Sequence, residues 1–189
     1  VTGVQTCALP ICVSMLYGTW LDAESVLDIL CAKGATQQSK IAYYLGYVSD
    51  QGFYNVAMTA AMDAINWPAA LGISWGSDYH GDILDPALQA CIAVGIAPFT
   101  ASGDYGANYG IPIYPGCSQY TASCGTTQLG LYYSNNDFYH GTATYGAEQA
   151  AANPWGTPGF ASGGGIGAAM PTWQQGKNFT YYKHLDRKS

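Results

Sequence analysis

The sequence predicts an α/β fold, a parallel sheet with helices on both faces. Three observations carry that expectation. Short apolar runs of strand length alternate with segments of helical length, the order that builds a parallel sheet through helical crossovers. Gly34 and Gly95 directly follow two of the helical segments, where a chain reversal needs a residue without a side chain. Finally, 49% of the 189 residues are hydrophobic and 10% are charged. That composition can build a core and excludes general disorder. The length fits one domain, and neither a repeat nor a linker interrupts it.

The elements follow in order. Leu21 to Lys33 reads as a helix whose apolar residues Leu21, Val26, Leu27, Ile29 and Leu30 form the expected buried face, with Gly34 as its stop. Ile41 to Val48, rich in Ile, Tyr and Val, reads as a strand. From Phe53 to Ile65, Ala and Met recur at helical spacing. Ala69 to Trp75 is a buried strand ending in the turn Ser74-Trp75-Gly76. Pro86 to Val94 is the next helix, ended by Gly95. Ile96 to Ala101 is another buried strand, ending in Ser102-Gly103-Asp104. Short strands are expected between Tyr120 and Leu131, whereas Ser162 to Gly167 has neither helical nor strand period.

The two ends read differently. Residues 1–11, VTGVQTCALPI, translate codons that match a sequencing-adapter oligonucleotide, and residues 186–189, Asp-Arg-Lys-Ser, translate its opposite strand. The sequence is therefore read as an insert spanning 12–185 between two adapter-derived segments. Removing Asp186, Arg187 and Lys188 from the 12 acidic and 6 basic residues leaves 11 and 4, a net charge of −7 instead of −6. Such a chain lacks the basic patch that nucleic acid requires. No apolar run reaches the ~18 residues that span a bilayer, so no membrane partner is expected. Cys7 falls in the adapter segment and Cys12 at its junction. Of the others, Cys117 and Cys124 are spaced to form a disulfide across a turn, with four small thiols as the equal alternative. There is no CxxC pair and no metal site is expected.

The chemistry should lie at the carboxyl ends of the strands, where open parallel sheets bind ligands. Ser74-Trp75-Gly76 and Ser102-Gly103-Asp104 both fall there. Glu24 and Asp28 are four apart, so a helix presents both on one face. A carboxyl pair held close shares a proton and splits its titration. An exposed pair of like charges and a plain turn aspartate are the bland readings of the same residues. No phosphate-binding Gly-rich motif follows a strand.

Five ordered segments resemble one family. They are Glu24-x-x-x-Asp28 within AESVLD, ISWG at 73–76, FTASGDYG at 99–106, YPGCSQYTASCGTTQL at 114–129 and ASGGGIGAAMPTWQ at 161–174. Together they resemble the sedolisin family of serine-carboxyl peptidases, which have the subtilisin fold. The resemblance implies a subtilisin-like sheet, incomplete at the C-terminus. It implies that Glu24 takes the proton of a serine nucleophile, that Asp28 hydrogen-bonds and positions Glu24, and that Asp104 donates to the oxyanion. A carboxylate base suits acid, where His would be protonated, and a carboxyl group donates only when protonated. Ser74, Trp75, Gly76, Ser102 and Gly103 are implied to bind an extended peptide through backbone groups.

The family's nucleophile lies in a later Gly-Thr-Ser, and no Gly-Thr-Ser occurs in the chain. The chain as given is therefore expected to be inactive. The family's calcium site, formed by later residues, is expected to be absent too, leaving no cofactor. The whole protein is expected to be a monomeric, exported endopeptidase acting on peptide or protein in acidic surroundings. Ile166-Gly167 departs from the family's Phe-Ser, and Ala and Cys replace its Val around the Gly-Gly-Thr segment. Two alternatives are a non-catalytic peptidase-like binding domain and a His-dependent subtilase using His140-Gly141-Thr142. The second has its His on the wrong side of both polar turns. His80 and His184 have no ligand-spaced partners, and Asn178-Phe179-Thr180 is a glycosylation sequon.

Overall fold

The structure, a computed structural model, describes residues 11–12, 20–47, 49–76, 82–106, 112–133, 142–151, 161–164 and 174–175. The three histidines, the Asn178 sequon, Ile166-Gly167 and the four C-terminal residues lie outside these.

Five strands form one parallel sheet. They are β1 (Ile11–Cys12), β2 (Tyr43–Tyr44), β3 (Ala70–Ile73), β4 (Ala97–Ala101) and β5 (Ala122–Cys124), in the spatial order β2-β1-β3-β4-β5. Three helices connect them: α1 (Trp20–Ala35), α2 (Asp50–Met62) and α3 (Asp85–Ala93). β1 pairs with both β2 and β3, Ile11 lying between Tyr43 and Gly72. Ile11, the last residue of the segment read as adapter-derived, thus sits within a strand. The chain leaves β1 toward one edge of the sheet and later builds toward the other. Right-handed crossovers then place α1 on one face and α2 with α3 on the opposite face, where the two pack together. The α/β fold with helices on both faces is as the sequence predicts.

Local chemistry fixes the helix ends. Ser49 caps α2, its Oγ accepting from Gly52 N at 3.0 Å. Pro86 stands in the first turn of α3, where its missing N–H costs nothing. Gly95, at φ +88°, takes the left-handed conformation that returns the chain into β4. Gly34 does not stop α1, contrary to expectation; the helix runs through it to Ala35. The Ile41–Val48 strand is likewise shorter than expected, two residues at Tyr43–Tyr44.

The core lies between the sheet and the α2–α3 face. Leu71, Ile73, Leu84, Leu88, Cys91 and Ile96 are buried there with small residues of both helices. Each fully buried Leu contributes about 1.5–3 kcal/mol. The Cys91 thiol donates to Ala57 O of α2 at 3.3 Å, and burial raises its pKa to about 11. Past the sheet, β6 (Thr127–Tyr133) and β7 (Ala143–Ala150) form an antiparallel ribbon. The sequence reading contains β6 in part and lacks β7. Cys31, Cys91 and Cys124 carry free thiols, so no Cys117–Cys124 disulfide forms. Among the described residues no helix is long and apolar enough to cross a membrane.

Candidate active site

The strand order reverses at β1 and β3, and the crevice beyond their carboxyl ends is the expected ligand position of such a sheet. α1 follows β1 there and carries Glu24 and Asp28 one turn apart. Ser74, the first residue past β3, donates its hydroxyl to Asp28 Oδ2 at 2.8 Å. Ser25 and the Tyr43 hydroxyl lie 2.6 Å apart in a second bond, and Ile29, Tyr43 and Trp75 pack together beside it.

These anchors decide which side of α1 turns inward. Glu24, Ser25, Asp28 and Ile29 are half-buried toward the crevice. Val26, Leu27 and Leu30 are 54%, 55% and 64% exposed. The apolar face expected to be buried is therefore largely the outer one. Polar bonds to the neighbouring strands, not apolar spacing, set the rotation of this helix.

The inward carboxyls feel one another. Burial is the main cause that raises the Glu24 pKa above its usual 4.5, and the charges of Asp28 and then Asp104 add to it. Burial also raises Asp28 above its usual 3.8, with the Ser74 bond acting in the opposite direction. Three carboxyl groups named from the sequence are thus brought to one crevice. Among the described residues Asp28 accepts a hydrogen bond from Ser74, where the resemblance implied one with Glu24.

The second polar turn is built just as tightly. Gly103, at φ +99°, redirects the chain past β4 and presents Asp104 at the surface. The Gly-rich segment runs alongside it: Ala161 N donates to Asp104 O at 2.7 Å and Gly163 N to Gly103 O at 2.6 Å. A Cβ on Gly163 would stand 2.3 Å from Ser102 O, so only glycine allows this approach. Ser102 is 5% exposed, and among the described residues neither its Oγ nor the buried Trp75 Nε1 has a hydrogen-bond partner.

The sequence reading missed the Ser74 side chain, which it used only for its backbone. The signal available was its position, the first hydroxyl past the end of a strand beside α1. Among the described residues no group of three His, Cys, Asp or Glu side chains could hold a metal ion. A shallow, half-open pocket lined by Ala60, Met62, Trp67 and Ile96 lies at the opposite, amino end of the sheet. Its one titratable lining residue is Asp63, so it offers no comparable chemistry.

No family model matches the chain. Kumamolisin from Bacillus sp. (strain MN-32) is 30% identical over 172 residues, which is 83% of this chain and 29% of kumamolisin. Among solved structures, Pseudomonas sedolisin, a serine-carboxyl proteinase in complex with two molecules of pseudo-iodotyrostatin, is similar with a TM-score of 0.65 at 17% identity. That match covers 89% of this chain and 53% of the sedolisin chain. The chain thus spans less than a third of kumamolisin and about half of the solved sedolisin. The structural match, together with the parallel sheet and its helices, gives the chain a subtilisin-like α/β fold. The chain belongs to the sedolisin family of serine-carboxyl peptidases.

Proposed function

We propose that Glu24, Asp28 and Asp104 form the acid–base part of an endopeptidase site that works in acid. The observation that carries this reading is the convergence of the three carboxyls, with Asp28 held by Ser74. In the reaction Glu24 takes the proton of a serine hydroxyl as its Oγ attacks the peptide carbonyl carbon. Asp28 orients Glu24 and keeps its proton affinity high. Protonated Asp104 donates to the oxyanion, a role open to a carboxyl group only in acid. Glu24 then passes the proton to the departing amine. Ser74-Trp75-Gly76 extends β3 and offers backbone groups to an extended substrate.

The serine belongs to a Gly-Thr-Ser that this sequence does not contain. The 189-residue chain by itself therefore holds a base and an oxyanion donor without a nucleophile, and is expected not to cleave peptides. The whole protein is a monomeric, exported peptidase of acidic surroundings, acting on peptide or protein. The scarcity of basic residues in this chain, 6 among 189, supports an acid habitat, because few uncompensated positive charges remain when carboxylates are protonated.

The test is a chimaera in which this chain is completed by the C-terminal remainder of kumamolisin. Its kcat/KM should be greatest below about pH 5, near the carboxyl reference values. Glu24→Gln should lower it by about 10²–10⁴-fold. A maximum at pH 8, or indifference to Glu24→Gln, overturns the proposal.

A further inference from the structure

We propose that the turn closing α2, Asp63 to Trp67, docks unfolded polypeptide away from the crevice, taking an apolar side chain together with a neighbouring lysine or arginine. That this polypeptide is a substrate rests on the peptidase reading above.

The turn is built around one carboxylate. Asp63 Oδ1 accepts from Ile65 N at 3.0 Å and from Asn66 N at 2.9 Å. Its Oδ2 accepts from the Asn66 side chain and from the Tyr44 hydroxyl of β2. Trp67 N donates to Asp63 O at 2.9 Å. So closed, the turn holds Trp67 at φ +44°, a left-handed conformation that a bulky side chain rarely adopts. The strain costs stability, yet the Trp67 side chain is 69% exposed and that of Ile65 is 94% exposed. Met62, Trp67 and Val94, all exposed, surround a shallow pocket with buried Ile96 and Ala60 among its lining. Large apolar side chains held outward by a strained turn mark a docking surface.

The charge selects what docks. Asp63 is the one charged residue lining the pocket, and Tyr44 is the titratable side chain bonded to it among the described residues. Four donors stabilise the ionised carboxylate, so it keeps its charge in acid where ordinary carboxylates lose theirs. Protein unfolded in acid exposes apolar side chains and carries positive charge on Lys and Arg. Such a cation is drawn both to the negative charge and to the indole face. The four donors already fill the acceptor positions of Asp63, so charge and indole hold the cation rather than a new hydrogen bond. An anionic membrane surface has the wrong sign for this site. β3, four residues long, separates the turn from the crevice, so only polypeptide extending beyond about 13 Å engages both.

The 189-residue chain is titrated by NMR at about pH 4, above the value of about 2 to which Asp63 is held. The probes are a blocked tetrapeptide containing Leu-Lys and its Leu-Gln counterpart. The Leu-Lys peptide should shift the Trp67 indole and the amides of residues 64–67, and bind at least about threefold tighter than the other. Trp67→Asn should remove that preference without lowering the urea midpoint, because Asn tolerates the left-handed backbone that strains Trp. Ile65→Ser should fold as the parent does and weaken both peptides alike, so the test stands even if Trp67→Asn does not fold. Equal binding of the two peptides by the parent, an unchanged ratio in Trp67→Asn, or a midpoint that falls in it overturns the proposal. So does a dimer in sedimentation that Trp67→Asn dissolves, or binding of the chain to phosphatidylserine vesicles through Trp67. None of these outcomes involves Glu24, and cleavage of a short peptide by the kumamolisin chimaera tests the peptidase reading separately.

Discussion

Asp28 is subject to two opposed influences. Burial raises its pKa, and the hydroxyl of Ser74 lowers it by stabilising the ionised form. Replacing Ser74 by Ala leaves burial unopposed. The Asp28 pKa should rise further, and a more often neutral Asp28 should let the Glu24 pKa fall. Carboxyl resonances followed against pH in Ser74→Ala check both directions; an unmoved Asp28 would show that the hydroxyl has no electrostatic role. The carboxyl pair itself was legible in the sequence, because four residues on a helix fix a shared face. The partner of Asp28 was not, because Ser74 lies 46 residues away and meets it only when β3 and α1 are assembled.

At the scale of elements, alternating apolar runs and glycine punctuation were enough to find α1, α2, α3, β3 and β4. They were not enough to orient α1, whose Val26, Leu27 and Leu30 face outward. β7 was invisible because it is a strand only through its pairing with β6, in which Leu131 faces Tyr145. Gly34 and Gly52 illustrate how packing alters a residue's meaning. Both lie inside helices. A Cβ on Gly34 meets nothing within 4 Å, whereas one on Gly52 would stand 1.9 Å from Tyr47 O. Gly34→Ala should therefore stabilise the chain by about 0.5–1 kcal/mol. Gly52→Ala should destabilise it by about 1–3 kcal/mol, because the backbone must shift. Urea unfolding of the two variants measures the contrast, and equal signs would refute it.

Across the whole molecule, two sets of carboxyls give stability opposite dependences on pH. Asp63 accepts from the Asn66 side chain at 2.5 Å, from the Tyr44 hydroxyl and from the Ile65 and Asn66 amides. These bonds, led by the Asn66 side chain, hold its pKa down to about 2 against the usual 3.8. Its contribution is present above pH 3.8 and is lost as pH falls toward 2. Glu24 and Asp28 are raised instead. The folded state binds their protons more tightly than the unfolded chain, so stability falls as pH rises from their usual 4.5 and 3.8 through the raised values. The urea midpoint should thus climb from pH 2 to about 4 and decline above it. Asp63→Asn should flatten the acid limb, and Glu24→Gln should reduce the decline. A midpoint that rises steadily to neutrality and ignores both substitutions would contradict the assignment. The opposed signs come from contacts that composition does not contain.

Glu24 as a base tuned by its neighbours is tested most directly by its own titration, followed by carboxyl ¹³C NMR in the parent chain and in Asp28→Asn. Glu24 should titrate above its usual 4.5 in the parent and move back toward that value when the Asp28 charge is removed. A Glu24 that titrates at or below 4.5 in the parent, or that does not respond to Asp28→Asn, would contradict the coupled carboxyl site.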